Sequence, residues 1–400
     1  MKYLILIMDG AADYPVEKLN WKTPLQVAKK MNVDKLAEKG KCGLLKTIPE
    51  NFSTGSVVAN LSILGYDPRK YFKGRGVLEA AAMGIELEKN DVAFRCNIIN
   101  VSENKITSHS AGHLTGEESS ELVKTLNEKL GNEFVKFYSG VAYRNLLILK
   151  RKYSEKVKCF PPHDFIGEDF RKLLPVETDE EGKETSSLLI NLILKSKEIL
   201  ENHPVNIKRE KEGKLKGNMI WPWSGGRKPE METFQERFKI KGAVISGVDL
   251  IKGLGIYCGF EIINVKGATG DYRTNYEGKA EKAIEGLMNF DLVYVHVEAP
   301  DEAGHEGNVE LKIKCIEDFD KRLVGNILKG IPEETVISVL PDHYTPVSSG
   351  RHTTEPVPFL IYRPGEKGDT VKKFDEISCK EGFYGLCEGT SFIYKLFSKL

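Results

Sequence analysis

Three stretches of this sequence rise as short apolar runs and stop on residues that can bind a metal ion. Tyr3–Met8 (YLILIM) ends at Asp9, and Val336–Leu340 (VISVL) ends at Pro341-Asp342-His343. The third run, Leu292–His296, lies in Asp291–Gly307 and breaks at Pro300 to deliver Asp301 and His305. Apolar runs of this length, bounded by breakers, read as buried strands. A carboxylate and an imidazole at i and i+4 share one face of a helical turn and can hold a divalent cation. A D-x-x-x-H pair alone would read as a surface acid beside a structural histidine. In open α/β sheets, however, ligands gather at the carboxyl ends of the strands, and three runs ending in this way read as one site.

The order of elements supports such a sheet. From Lys241-Gly-Ala-Val-Ile-Ser onward, strand-like runs alternate with the helical patterns Val248–Tyr257, Tyr276–Met288 and Val309–Leu328. This βαβα order predicts an α/β fold, a largely parallel sheet flanked by helices. The middle of the chain reads differently. The strand Val92–Val101 is followed by His109-Ser-Ala-Gly-His113, the helix Glu117–Leu130, strands at Glu133–Phe137 and Arg144–Lys150, the helix Ser186–Asn202 and a loop at Gly217–Arg227. That mixture suggests an α+β domain. Ligand-type residues lie on both sides of it, so the expected organisation is a core of residues 1–90 and 232–400 with 91–231 inserted.

Between the first two ligand-bearing stretches, the polar loop Pro49–Ser56 runs straight into the helical pattern Val57–Gly65. Ser56 therefore stands at a helix N-terminus, where free N–H groups and the helix dipole favour a bound phosphate. A plain N-cap serine is the simpler reading of that position, and Ser53 and Thr54 are rivals for any chemical role. With Asp9, Asp301, His305, Asp342, His343 and the loop residue His352, the chain has three aspartates and three histidines, enough for two cations about 3.5–4 Å apart. Mixed Asp/His ligation favours manganese first, with zinc, cobalt, iron or, less comfortably, magnesium, over calcium.

Bulk properties remove other classes. The 58 basic and 58 acidic residues cancel, so charge gives no case for nucleic acid or a membrane surface as partner. No apolar run approaches the roughly 20 residues needed to span a bilayer. Seven cysteines with no C-x-x-C pair suggest reduced thiols and a cytoplasmic protein.

The segments MDGAAD, GSVVANLSILGYDP, RCNIIN, HSAGH, IWPWSGGRKP, KGAVIS, GATG with TNYEGKA, EAPDEAGHEG, and PDHYTPV with RHTTEPVPF resemble the archaeal-type cofactor-independent (2,3-bisphosphoglycerate-independent) phosphoglycerate mutases of the alkaline phosphatase superfamily. The resemblance runs over essentially the whole chain. The chain is similar also to the bacterial branch labelled proposed homoserine kinase.

The resemblance implies an alkaline-phosphatase-like core with an inserted substrate-binding lid. It implies that Ser56 is the nucleophile and becomes phosphorylated. Asp301, His305 and His352 would hold one metal, and Asp9, Asp342 and His343 the other, with Ser56 as a further ligand. The substrate, a small phosphorylated molecule, would be gripped by Arg144, Arg227 and Lys241, with His113 as a further candidate, because a guanidinium offers two parallel hydrogen bonds to a carboxylate or phosphate. The implied activity is the interconversion of 3-phosphoglycerate and 2-phosphoglycerate in glycolysis and gluconeogenesis, with two divalent ions and without 2,3-bisphosphoglycerate. A homo-oligomer is compatible with this. Where many relatives carry an acidic residue after the serine, this chain has Val57, which puts the proton traffic of the family in doubt here.

Two rivals remain. One is another metal-dependent phosphotransfer on the same core, a phosphatase or the homoserine kinase activity; a P-loop G-x-x-x-x-G-K-[ST] is absent, which disfavours a conventional kinase. The other is a binding protein that keeps the fold without chemistry, which the complete set of ligands argues against.

Overall fold

A computed structural model describes residues 1–398. The described chain divides into two compact units, one of Met1–Phe72 with Glu230 onward and one of Lys73–Pro229. In chain order the first unit contributes β1 (Lys2–Met8) and β2 (Lys41–Lys46). The second contributes β3 (Val92–Ser102), β4 (Lys105–Ser108), β5 (Val135–Tyr138), β6 (Arg144–Leu149), β7 (Val157–Lys158), β8 (Val176–Glu177) and β9 (Met219–Arg227). The first unit resumes with β10 (Gly242–Ile245), β11 (Glu261–Ile262), β12 (Leu292–Val297), β13 (Thr335–Leu340), β14 (Val357–Tyr362) and β15 (Gly385–Glu388).

In the first unit the strands form a single sheet in the order β11-β10-β12-β1-β13-β14-β2-β15. Only β14 runs against its neighbours; every other pair along that order is parallel. Central strands of such a sheet are covered on both faces and read as unbroken apolar runs. That explains YLILIM, LVYVHV and TVISVL, all buried apart from the half-buried Lys2 that opens β1. The core on one side of the sheet includes Leu4, Leu6, Met8, Val293, Val295, Ile337 and Val339, packed by the helix Tyr276–Asn289 through Ala280, Ala283 and Leu287. Because β12, β1 and β13 lie side by side and point the same way, Asp9, the segment after Val297 and Asp342 all emerge at one end of the sheet.

The second unit is α+β, with an antiparallel sheet in which β3 pairs with β4, β6 and β9, and β5 pairs with β6. Two expectations need correction here. Residues 219–227, read as loop, form β9 along β3; Pro222 lies opposite Cys96 in a strand with no second strand partner among the described residues, a place where a missing N–H costs nothing. The first boundary falls at 72/73 rather than 90/91. The helix Arg75–Ala82 packs against β3 and β9, and Gly76 lies so close to β3 that an added Cβ would come within 2.4 Å of the Ala93 carbonyl oxygen.

Candidate active site

The site is built from turns at the carboxyl ends of β1, β12 and β13. After β12 the chain enters the short helix Ala299–His305, with Pro300 in its first turn, where proline needs no N–H partner. One helical turn then sets Asp301 and His305 side by side, His305 Nε2 being 3.2 Å from Asp301 Oδ2. His352 reaches the same carboxylate, its Nε2 at 3.3 Å from Asp301 Oδ1. The two imidazole Nε2 atoms are only 2.9 Å apart. His305 Nδ1 faces the Gly350 carbonyl oxygen at 2.8 Å. A carbonyl can only accept, so Nδ1 carries the proton and Nε2 points its lone pair or a second proton at the cluster. Two nitrogens converging on one carboxylate in this way need a cation between them. Without a metal it is a proton: hydrogen bonding to Asp301 raises His305 to about 9. Burial works to raise the Asp301 carboxyl, but its bonds to His305 and His352 win and hold it well below the usual range.

A second set adjoins the first. Asp9, Asp342 and His343 are fully buried. His343 Nε2 lies 3.4 Å from Asp9 Oδ1, 3.7 Å from Asp342 Oδ2 and 3.2 Å from Ser56 Oγ. Burial pushes the His343 pKa down, so the ring is neutral. Its Nδ1 faces the Tyr344 carbonyl oxygen at 3.3 Å, which leaves Nε2 as a lone pair aimed at the cluster. Both carboxylate oxygens of Asp9 are buried without a well-aligned hydrogen bond; their neighbours are imidazoles, His296 Nε2 at 2.9 Å from Oδ2 and His343 Nε2 at 3.4 Å from Oδ1. Its carboxyl is pushed well above the usual range, by burial first and then by the charges of Asp342, Asp301 and Glu298. A carboxylate buried beside other carboxylates is costly unless a cation neutralises it. Asp9, Asp301 and His343 present ligand atoms within 4.8 Å of one another, so the two sets share one pocket. The residues present therefore fit a pair of divalent cations.

Ser56 owes its place to the residue before it. Gly55 has φ +145° and ψ 160°, a conformation essentially confined to glycine, and it turns the polar loop into the helix Ser56–Ile63 with Ser56 as the first residue. Four residues on, the buried Asn60 amide donates to the Ser56 carbonyl oxygen at 2.6 Å and to Asp342 Oδ2 at 2.8 Å, and its own oxygen accepts from Tyr294. Asn60 thus ties the helix start to a candidate ligand. The sequence gives no pattern that announces it.

Of the four candidate substrate-binding residues, Lys241 lies in the first unit and His113, Arg144 and Arg227 in the second. Lys241 precedes β10 and so sits at the amino end of the sheet, opposite to Asp9. It is bonded there through its backbone N–H to Asp291 at 3.0 Å and pairs with Glu261. A residue just before a parallel strand cannot reach ligands emerging from the other end, and Lys241 is withdrawn from the candidate site. Arg227, in the second unit, is engaged by Glu155 at 2.8 Å and by the Tyr153 carbonyl oxygen at 3.0 Å. It lies opposite Val92 on β3, whereas Arg144 lies opposite Asn97, five residues or about 17 Å along the strand. Arg227 is therefore a local brace.

Arg144, by contrast, belongs to a cluster. Its charge and that of His113 act on His109, whose pKa is lowered by burial first and then by these two groups. His109 packs on Tyr143 and His163, and His163 on Trp223, with ring centroids 5.3–6.2 Å apart. The guanidiniums of Arg75 and Arg95 lie over the Trp223 ring at 5.6 and 5.1 Å. This patch of arginine, imidazole and aromatic rings suits a small anion. Of its members, Arg144 and His113 are candidates from the sequence; His109, Arg75, Arg95, His163 and Trp223 are not singled out there.

Acid and histidine side chains that could hold metal ions, in two adjoining sets at the carboxyl ends of a largely parallel sheet and beside a serine that opens a helix, fit the class of metal-dependent phosphoryl-transfer proteins. Comparison with known proteins narrows the class. The family model for 2,3-bisphosphoglycerate-independent phosphoglycerate mutase matches residues 37–206. The chain is 49% identical over 397 residues to the 2,3-bisphosphoglycerate-independent phosphoglycerate mutase of Methanosarcina barkeri, covering 98% of each chain. It is 44% identical to a probable enzyme of the same name from Geobacter sulfurreducens, covering 95% of each. Among solved structures it is similar to a Pyrococcus horikoshii protein (TM-score 0.85, 32% identity, covering 100% of this chain and 98% of that one). It is also similar to the cofactor-independent phosphoglycerate mutase of Thermoplasma acidophilum (TM-score 0.69, 31% identity, 99% of each). The chain belongs to the 2,3-bisphosphoglycerate-independent phosphoglycerate mutases.

Proposed function

We propose that the chain interconverts 3-phosphoglycerate and 2-phosphoglycerate through a phosphoserine at Ser56. The observation that carries this reading is the position of the Ser56 hydroxyl, 3.2 Å from His343 Nε2 at the mouth of the buried Asp9–Asp342–His343 set. Asp301, His305 and His352 would hold one divalent ion, and Asp9, Asp342, His343 and Ser56 the other, manganese being the ion best suited to this donor set. When bound, such ions lower the pKa of a ligated hydroxyl and neutralise charge on the phosphoryl oxygens.

The chain's own groups account for the rest. The first turn of the helix Ser56–Ile63 offers backbone N–H groups to the phosphoryl oxygens. In the forward half-reaction the Ser56 Oγ–P bond forms as the substrate C–O–P link breaks at phosphorus; the Ser56 proton is balanced by the one gained at the freed glycerate hydroxyl. The second half-reaction reverses this at the neighbouring hydroxyl and regenerates Ser56. Val57, buried in the helix, offers no proton acceptor beside the serine. Within the Lys73–Pro229 unit, Arg144, Arg75, His109 and His113 are the groups suited to the substrate carboxylate. The seven free cysteines suit the cytoplasm.

Ser56→Ala tests the proposal. The variant should lose mutase turnover in an assay of 2-phosphoglycerate formation yet keep two equivalents of manganese. Wild-type protein quenched in acid during turnover should give a phosphopeptide containing Ser56. Turnover in the variant, or a phosphate on any other residue, refutes the assignment; product from ATP and homoserine alone would move the protein to the kinase reading.

A further inference from the structure

The two sets of candidate ligands meet at one side chain that belongs to neither. Thr345 follows His343 in the turn after β13 and is fully buried. Its Oγ1 lies 2.5 Å from Asp301 Oδ1 and 3.2 Å from His343 Nδ1. A carboxylate oxygen can only accept, so the hydroxyl proton goes to Asp301. The Nδ1 of the neutral ring carries its proton, so Thr345 Oγ1 accepts from His343. One hydroxyl thus orients a ligand of each set at the same time.

The surroundings fix that hydroxyl rather than merely permitting it. Gly10, at φ +59°, passes so close that an added Cβ would lie 2.6 Å from Thr345 Oγ1 and 2.4 Å from Asp301 Oδ1; one on Gly304 would lie 2.4 Å from the Thr345 carbonyl oxygen. That carbonyl accepts from the buried Lys312 ammonium at 2.8 Å, which also bonds Asp13 at 2.8 Å and the Ala12 carbonyl oxygen at 3.2 Å. The Thr345 N–H donates to Ala12 at 3.2 Å. Backbone on both sides is therefore clamped, and the side chain has one place to be.

We infer that Thr345 is a positioning residue that sets the geometry of both metal positions at once. With its donor gone, Asp301 Oδ1 loses its hydroxyl partner and keeps His352 Nε2 at 3.3 Å, and His343 Nδ1 keeps only a 3.3 Å contact to the Tyr344 carbonyl oxygen to fix the tautomer. Hydrogen bonds of this kind to metal ligands are worth about 10- to 100-fold in metal affinity. The inference rests on the two-metal reading above, and the test separates them.

Mn²⁺ is titrated into chelator-stripped wild type, Thr345→Val and Thr345→Ser, with free Mn²⁺ read by electron paramagnetic resonance. Valine keeps the branched shape and removes the hydroxyl; serine keeps the hydroxyl. Wild type should bind two equivalents. Thr345→Val should still bind two, with both affinities weaker by about 10- to 100-fold and with the melting temperature of the metal-free protein close to wild type; Thr345→Ser should return to wild-type affinity. Wild-type affinity in Thr345→Val, weakening confined to one of the two equivalents, or failure of serine to restore binding overturns the inference and leaves the two-metal reading standing. Fewer than two equivalents in wild type overturns both. If Thr345→Val does not fold, Thr345→Ala and Thr345→Ser decide: equal losses in the two refute the role of the hydroxyl.

Discussion

Lys312 and Asp13 form an ion pair at 2.8 Å with side chains 0% and 1% exposed, and Lys312→Met is the sharpest test of what holds the site's loops together. The substitution keeps the aliphatic stem and removes the charge. Breaking a buried pair by deleting one partner costs about 3–5 kcal/mol, because the survivor is left as an uncompensated charge. Asp13 keeps bonds from the N–H groups of Tyr14 at 2.8 Å and Val347 at 3.1 Å, which argues for the lower end, about 3 kcal/mol. For a unit of this size that corresponds to a fall of about 6–12 °C in melting temperature. Differential scanning calorimetry of the wild type, Lys312→Met and the double variant Asp13→Asn/Lys312→Met measures it. If the cost is a stranded carboxylate, neutralising it should recover stability, so the double variant should melt above the single one. A single variant within about 2 °C of wild type, less than 1 kcal/mol, refutes the reasoning. So does a double variant no more stable than the single.

Two further outcomes are expected. Burial, with no charged partner bonded to it, raises Glu376 to about 7, above the ordinary carboxylate value near 4.3. The folded protein then binds more protons than the unfolded chain between these values, so this group makes stability fall as pH rises through that window and the loss is complete above about 7. Glu376→Gln should flatten the decline in melting temperature between pH 5 and pH 8, and an unchanged slope would refute the assignment. In the second unit, Arg144→Ala should raise KM for 3-phosphoglycerate about tenfold or more without changing manganese affinity, whereas Arg227→Ala, whose half-exposed pair with Glu155 is worth about 1 kcal/mol or less, should lower stability slightly and leave KM alone; the reverse pattern in steady-state kinetics would return Arg227 to the substrate.

The parallel sheet and the gathering of the candidate ligands at its carboxyl end were legible because local rules determine them. Buried central strands must be apolar throughout, and a helical turn after β12 must put Asp301 and His305 on one face. What escaped depends on partners far apart in the chain. Thr345 and Asn60 matter only because Asp301 and Asp342 arrive beside them, and neither threonine nor asparagine carries a pattern that says so. β9 was obscured by Pro222 and by Gly225 and Gly226, residues that signal a turn; only pairing along β3 shows that its far edge is free to carry proline. The helix Arg75–Ala82 looks like any other helix following Ser56, and its assignment to the second unit depends on Gly76 lying flush against β3. Lys241 was misplaced for a different reason: a cation was matched to a substrate by charge, while the direction of β10 already put it at the wrong end.

Gly10 donates its N–H to Asp342 Oδ1 at 3.1 Å and, lacking a side chain, leaves the volume that Asp301 and Thr345 fill. A library covering every position should therefore rank this chemically mute residue with the aspartates and histidines in its intolerance of replacement. Alanine there would demand both a left-handed backbone and room that oxygen atoms already occupy, so inactivation at Gly10 would report crowding at the centre of the pocket rather than loss of a reacting group.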